Sequence, residues 1–413
     1  MAREDRPRLY CDLTQSWSEV GGGVGTYLRH KRRHILDHGI ASHLLIVPGP
    51  HDATIVSDGG RAITEYIGSP RVPGSPNYRL LLRNGKVRAL LARHRPDLIE
   101  CQDSYNLPWA ALGHARAHPG TATVAAYMTD FPTVYVERPF SRYLGHAVGA
   151  AAKRLCYRYV GSLYRRFDAV YALSEHGGAA KLRSLGVDPV EVVPLGVELG
   201  EFSPAKRDPA LRQRIGVAPD DPLLVYAGRM DAEKGPQVVL DAFLQLPEAM
   251  RATLVLLGDG PLRATLVEQA KGTRVLAPGY VADRGELARW LASADLYVSG
   301  MADETFGISI VEAQASGLPV IGIGEGAMLD RVPDALGRTG PLGDPAAMAR
   351  NIVDVWNGDH RAMGRRARTH VEQFGWDRAM ASLFDDIYPA ALLHAGFRAR
   401  NPARVHDPKK EIA

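Results

Sequence analysis

Cysteine is scarce in this 413-residue chain: Cys11, Cys101 and Cys156 are odd in number and far apart. No disulfide framework or zinc-type spacing is available, which suits a reducing cytoplasm. Long apolar runs are missing too. No stretch of 18 apolar residues occurs, so no transmembrane helix is expected, and MAREDRPRLYCDL lacks the apolar centre of a signal peptide. Charge of one sign is not in excess: 50 basic minus 46 acidic residues leave +4, which gives no case for nucleic-acid binding by the whole protein. Asp-x-Asp, Gly-Lys-Ser/Thr and His-Glu-x-x-His are all absent. The first of these absences removes the usual carboxylate pair for a divalent ion, so no metal ligand and no cofactor is expected. The expected location is cytoplasmic.

What the chain does have is a 46% hydrophobic fraction, enough for two packed cores at this length. Its most informative stretch is ETFGISIVE, with Glu304 and Glu312 separated by seven residues and preceded by the strand-like ADLYVSG. Gly307 opens a helix that stops before Pro319. A helix start offers free N–H groups and partial positive charge, so it suits an anionic or polyhydroxyl ligand. Glu304 sits at its mouth, and Glu312 lies roughly 7.5 Å along the axis at about 1.5 Å per residue. Two such carboxylates can hold two parts of an elongated ligand, or they are an acidic loop and a helix surface charge. Upstream, LLVYAGRMDAEKGPQVVLDAF reads as strand, turn and amphipathic helix, with Gly228, Arg229 and Lys234 in the connecting loop. Two cations at the carboxyl end of a parallel strand suit a diphosphate. LVLLGDGPLRATL and RVLAPGYV repeat the strand-turn pattern, which argues for a doubly wound α/β domain.

GRMDAEKG, GDGPL, the Gly-Tyr-Val turn, ETFGISIVEAQASGLPVIG and PLGDP together resemble the retaining nucleotide-sugar glycosyltransferases of family 4. The likeness extends through GGGVGTYL, SEHGGAAKLRSLGV and VVPLGVELGEFSP to FGWDRAMASLFDDIY, which is nearly the whole chain. It implies the GT-B fold, two Rossmann-like domains facing a central cleft. It also implies transfer of a hexose from a UDP-glucose or GDP-mannose type donor to a hydroxyl, on a lipid-linked or glycan acceptor. In that pattern Glu312 holds the donor ribose, while Glu304 reaches the transferred sugar beside the amides of Phe306, Gly307 and Ile308. Gly22 and Gly23 lie against the diphosphate, Ser174 near the phosphates, and Tyr280 and Val281 near the base. Arg229 and Lys234 replace a metal in neutralising the leaving diphosphate. The implied domains are 1–200, on the acceptor side, and 201–374, which binds the donor. A crossover helix, 375–396, returns to the first domain, and a disordered tail covers 397–413.

AYMTDFP departs from the pattern, because related enzymes commonly carry a histidine where Met128 stands. A thioether cannot supply its hydrogen bonds. Asp130 becomes the polar catalytic candidate on this loop, or a turn-forming aspartate. The departure leaves two alternatives to an active transferase: a sugar-binding or assembly protein of this fold, or a nucleotide-sugar epimerase. Residues 51–79, rich in Gly, Pro and Ser, read as a long loop with one short strand. Arg138 to Arg166 carries seven Arg or Lys, no acid, and Phe140, Tyr143, Tyr157, Tyr159 and Tyr164. Such a segment is either a solvated helical face or a surface for anionic lipid at the inner membrane face.

Overall fold

A computed structural model describes residues 7–18, 22–72 and 75–400. The chain divides into two compact units. The first comprises the described residues up to Leu173, then Gly178–Val193, and again those from Ala379 onward; the second holds Ser174–Gly177 and Pro194–Arg378.

In the first unit the strands are β1 (Leu9–Leu13), β2 (Ser42–Gly49), β3 (Ala53–Ser57), β4 (Ala62–Gly68), β5 (Arg71–Val72), β6 (Ser75–Arg79), β7 (Leu98–Cys101), β8 (Ala122–Tyr127), β9 (Ala169–Ala172) and β10 (Glu191–Val192). Eight of them form one sheet in the order β10-β9-β8-β7-β1-β2-β4-β3. Its pairs are parallel except β3, which runs antiparallel to β4. The separate β5–β6 pair is a small antiparallel hairpin. Strands with both faces covered read as unbroken apolar runs, and Leu44, Ile46, Ile99 and Val124 are all buried. Strand order reverses between β1 and β7, so the loops after these two strands meet at the switch point where open α/β sheets bind ligands.

Beneath this point lies a buried polar cluster. Lys31, on the Gly23–Asp37 helix, reaches Asp12 at 2.6 Å and Glu100 at 3.1 Å, with all three side chains nearly inaccessible. Glu100 also accepts from Tyr27, Tyr171, Gln102 and Tyr388 at 2.7–2.9 Å. A buried carboxylate is tolerable only when paired and hydrogen-bonded, and five donors meet that need. Tyr388 begins the Tyr388–Arg400 helix, so the cluster also ties the C-terminal helix to this unit.

His43 is at the edge of the cluster. Its Nδ1 accepts from Arg32 Nε at 2.8 Å, and its Nε2 lies 2.7 Å from Asp12, the arrangement of a neutral ring. Burial lowers its pKa from 6.5 to about 4, with Asp12 opposing and Arg32 assisting. Between those two values the unfolded chain carries one more proton than the folded one, so stability falls as the pH drops through that window. The loss is roughly 3 kcal/mol by pH 4. Asp12, held at about 2 by Lys31 and His43 against its burial, gives a further loss below its ordinary 3.8. Urea titrations of wild type and His43→Gln should therefore show a steeper acid loss in the wild type between pH 6.5 and 4. Parallel curves would assign the acid sensitivity elsewhere.

The second unit holds β11 (Leu223–Ala227), β12 (Thr253–Leu257), β13 (Val275–Gly279), β14 (Leu296–Val298), β15 (Val320–Ile323) and β16 (Gly337–Gly340). They form an all-parallel sheet in the order β13-β12-β11-β14-β15-β16. Counted within the unit this is 3-2-1-4-5-6, the dinucleotide-fold order, with its switch point between β11 and β14. The core centres on Leu224, Leu254, Leu256, Val298, Ile321 and Ile352.

Several boundaries differ from the sequence reading. Residues 53–79 hold four strands, where a loop with one strand was expected. The strand signal of β4 is masked because Thr64 and Glu65 are buried polar residues, bonded to Arg32, Thr54 and His94. The final helix runs on to Arg400, so residues 397–400 are helical rather than tail; Arg398 bonds Asp168 and the Thr121 carbonyl. The rest of the expected tail, 401–413, lies outside the described residues, as does Gly21. Ser174–Gly177 belongs to the second unit although first-unit chain flanks it on both sides.

Candidate functional site

At the second unit's switch point, the loop after β11 spans Gly228 to Gly235 and the loop after β14 leads to Gly307. Gly235 and Gly300 press backbone to backbone where these loops meet, and a Cβ on either would collide with the other's carbonyl. This close approach brings Lys234 to Glu304, Nζ to Oε2 at 3.3 Å, with Met301 Sδ 2.8 Å from the same ammonium. The pair is largely covered, at 28% and 15% exposure. Glu304 is held from behind: its carbonyl accepts from Ala327 N–H at 2.8 Å, and Gly177 and Gly326 pack so closely on it that neither could carry a side chain without displacement. The loop after β15, Gly324 to Ala327, thus lies beside Glu304.

Gly307 caps the Ile308–Ala315 helix at φ 84°, a left-handed conformation that glycine supplies at little cost. Phe306 is buried, while Ile308 is partly open at the helix start. Glu312 follows on that helix. Its carboxylate is almost inaccessible and pairs with Arg284 at 2.8 Å. Burial raises its pKa above the ordinary carboxylate value, with the Arg284 guanidinium opposing. Arg284 was not among the sequence candidates; it opens a helix three residues after Val281, and that position was the available signal.

Three loops stack at the carboxyl ends of β11, β12 and β13. Gly258 packs against the Gly228 carbonyl and donates its N–H to the Gly279 carbonyl at 2.9 Å. Tyr280 follows Gly279 and is 59% exposed; Val281 is half-buried. Both therefore lie on the same edge of the sheet as Gly228.

Three expected residues already have partners within the protein. Arg229 pairs with Asp231 at 2.5 Å and Glu233 at 3.1 Å on its own loop, so its charge is locally offset. Ser174 donates its hydroxyl to the Thr305 carbonyl at 2.8 Å and accepts from Gly177 N–H at 3.0 Å, which makes it a brace for the Glu304 loop. Asp130, in the first unit, is buried. It pairs with Lys181 and accepts from Tyr157 at 2.8 Å and Thr133 at 3.2 Å. Burial alone would raise its pKa, but Lys181 and Tyr157 hold it below the ordinary value. Met128, just upstream, is also buried.

Also in the first unit, Gly22 precedes the Gly23–Asp37 helix at φ 95°, and a Cβ there would meet the Tyr78 hydroxyl at 3.0 Å. Among the described residues nothing lies within 4 Å of a Cβ placed on Gly23. Asp103, after β7, accepts from Gln15 N–H and, at 3.0 Å, from Ser16 Oγ, fixing the loop after β1. Burial pushes its carboxyl up to about 6 against those bonds. The sequence reading passed over Asp103, whose signal was its place just beyond DLIEC.

The family profile "Glycosyltransferase Family 4" matches residues 21–201, and "Glycosyl transferases group 1" matches 221–357. The chain is 30% identical over 355 residues to a GDP-mannose-dependent alpha-(1-6)-phosphatidylinositol dimannoside mannosyltransferase of Mycobacterium tuberculosis, covering 84% of this chain and 88% of that protein. The chain belongs to glycosyltransferase family 4. A D-inositol 3-phosphate glycosyltransferase of Xylanimonas cellulosilytica is 34% identical over 255 residues, or 57% of this glycosyltransferase and 59% of the relative. The solved sucrose-phosphate synthase of Thermosynechococcus elongatus superposes with a TM-score of 0.68 at 19% identity, covering 97% of this chain and all of that one. The fold is GT-B, with two Rossmann-like domains. This glycosyltransferase is a hexosyltransferase, with a nucleotide-sugar donor and a glycan or glycolipid acceptor.

Proposed function

We propose that the enzyme transfers mannose from GDP-mannose to a hydroxyl of an inositol-bearing glycolipid, with retention at the anomeric carbon and without a divalent ion. The observation that carries this reading is the largely covered Lys234–Glu304 pair beside the Gly307 helix start, at the second unit's switch point. A fixed ammonium there can take the charge of a departing diphosphate. Glu304 then turns to the sugar hydroxyls, Glu312 holds the ribose with Arg284 in support, and the amides of Gly307 and Ile308 face the phosphates. Gly228, Tyr280 and Val281 form the nucleotide edge. Arg229 adds charge at the rim, already partly offset by its acidic neighbours. Ser174 and Asp130 act through the loops they brace. The diphosphate oxygen takes the acceptor proton on the face it leaves, so no enzyme nucleophile is needed. The base and the acceptor class are supported by the relative that matches most of the chain.

Purified enzyme, offered GDP-, UDP-, ADP- and dTDP-sugars with an inositol glycolipid in excess EDTA, should consume GDP-mannose and give an α-linked product. Loss of turnover in chelator, restored by Mg²⁺ or Mn²⁺, would sink the metal-free mechanism. Preference for a uridine donor would overturn the assignment of the base.

The acceptor reading adds a membrane face. Two helices, Arg138–Leu144 and His146–Tyr164, fold against each other around Gly145 at φ 92°. They expose Phe140, Tyr143, Leu144, Val148 and Leu155 together with Arg142, Arg154 and Arg158. Among the described residues no helix is long and apolar enough to cross a membrane. An exposed mixture of apolar and basic side chains suits the surface of an anionic bilayer, where a lipid acceptor is presented.

A further inference from the structure

Arg331 is a buried cation that the sequence does not advertise. It ends the short Met328–Arg331 helix and is 4% exposed. Its guanidinium lies 4.6 Å from the ring centres of both Phe306 and Phe374. Its Nε donates to the Phe306 carbonyl at 3.1 Å, and its own carbonyl accepts from Gln314 at 2.6 Å. Burial lowers its pKa to about 10, so it stays charged at neutral pH. A buried charge is costly, and an apolar residue would fill this space more cheaply if packing were its only task.

The bond it makes falls on an informative peptide. Phe306 C=O and Gly307 N–H belong to the same peptide unit, which is trans. In a trans unit these two groups point in opposite directions. Drawing the carbonyl inward onto Arg331 therefore turns the Gly307 N–H away from the core, towards the start of the Ile308–Ala315 helix. Gly307 permits this through its positive φ; a Cβ there would strike Ile310 at 2.7 Å. Ile310 and Val311 already bond the Gly307 carbonyl, while among the described residues the Gly307 N–H has no protein acceptor. A cation on the carbonyl also polarises the amide, strengthening its N–H as a donor.

We propose that Arg331 is a positioning residue that aims the Gly307 amide at the β-phosphate of the donor. This rests on the donor site proposed above. Arg331 touches no substrate and acts through one peptide bond. Lysine in its place keeps the charge but loses the planar fork, so it cannot both lie between the rings and hold the carbonyl in the same way.

The test is calorimetric titration of wild type, Arg331→Lys and Arg331→Met with GDP and with GMP, beside thermal melts. Arg331→Lys should stay folded and bind GDP about tenfold more weakly, with GMP changed by about twofold or less, since one charge-assisted donor to the β-phosphate is misaimed. Arg331→Met should lose at least as much. A role in packing alone would lower the melting temperature and leave GDP affinity at the wild-type value in the folded protein, and that result overturns the proposal. Equal weakening of GDP and GMP overturns it as well. Glu312→Ala separates this from the site itself: it should weaken GDP and GMP together through the ribose. If it changes neither nucleotide, the donor site is misassigned whatever Arg331 does.

Discussion

Lys234→Ala should lower kcat by about a hundredfold to a thousandfold, the range typical of deleting one preorganised group that faces developing charge. Two effects add. The diphosphate loses a fixed cation as it departs. Glu304 also loses its partner while remaining at 15% exposure, so its carboxylate is left poorly solvated beside an anionic ligand. Glu304→Ala removes the sugar contact and that repulsion together. The double variant should therefore be less impaired than the product of the two single losses predicts, because the two side chains form one unit. Steady-state kinetics on the four proteins, with protein of native melting temperature, measure this directly. A kcat within about threefold of wild type for Lys234→Ala would remove the phosphate-neutralising role, because that role demands the larger loss.

The second unit was the more legible half because its functional groups sit where local pattern announces them. β11 and β12 are apolar runs followed directly by glycine, and Lys234 and Glu304 lie in the loops after β11 and β14. Strand order then makes those two loops neighbours. What pattern could not reveal was partnership. Arg229 looks like a free cation in GRMDAEKG, yet the acids that pair with it are two and four residues along the same loop. Arg331 reads as a surface charge, since the rings that enclose it come from Phe306 and Phe374, distant in sequence. In the first unit, Asp12 and Glu100 interrupt otherwise apolar strands, and Lys31 resembles any helix lysine until the three are seen together. Such charges are tolerated inside only because they meet, and that meeting is a tertiary event. Asp130 illustrates the same limit: its partner Lys181 is far along the chain. Ser174 was legible as a residue near the donor phosphates, but its task as a brace depends on the Thr305 carbonyl.

Binding to anionic vesicles should fall about a hundredfold when Arg142, Arg154 and Arg158 are all changed to Gln, at about 1 kcal/mol for each cation near the bilayer surface. The choice of residues comes from the structure rather than from the count of charges in the segment. Arg165 is bonded to the Leu185 carbonyl at 2.8 Å and Arg166 lies 5.7 Å from the Trp109 ring, so neutralising them would disturb the unit's packing. Lys153 is paired with Glu137 at 2.5 Å, which offsets its charge. Tyr157 and Tyr159 likewise turn inward, to Asp130 and to the Tyr105 carbonyl. Arg154, Leu155 and Arg158 instead share one exposed face of the second helix, at spacings of one, three and four residues. Arg142 and Tyr143 are exposed on the first helix, with the guanidinium 5.7 Å from the ring. The two contributions can be separated in sedimentation with vesicles of anionic and of neutral lipid. The triple Gln variant should lose binding to anionic vesicles and abolish its dependence on salt, because screening acts on exposed charge. Tyr143→Ser with Leu144→Ser should weaken binding at every salt concentration, because insertion of apolar side chains is not screened. Wild-type protein that stays in the supernatant with anionic vesicles at low salt would make this face an ordinary solvated surface, and the acceptor would have to reach the enzyme from solution.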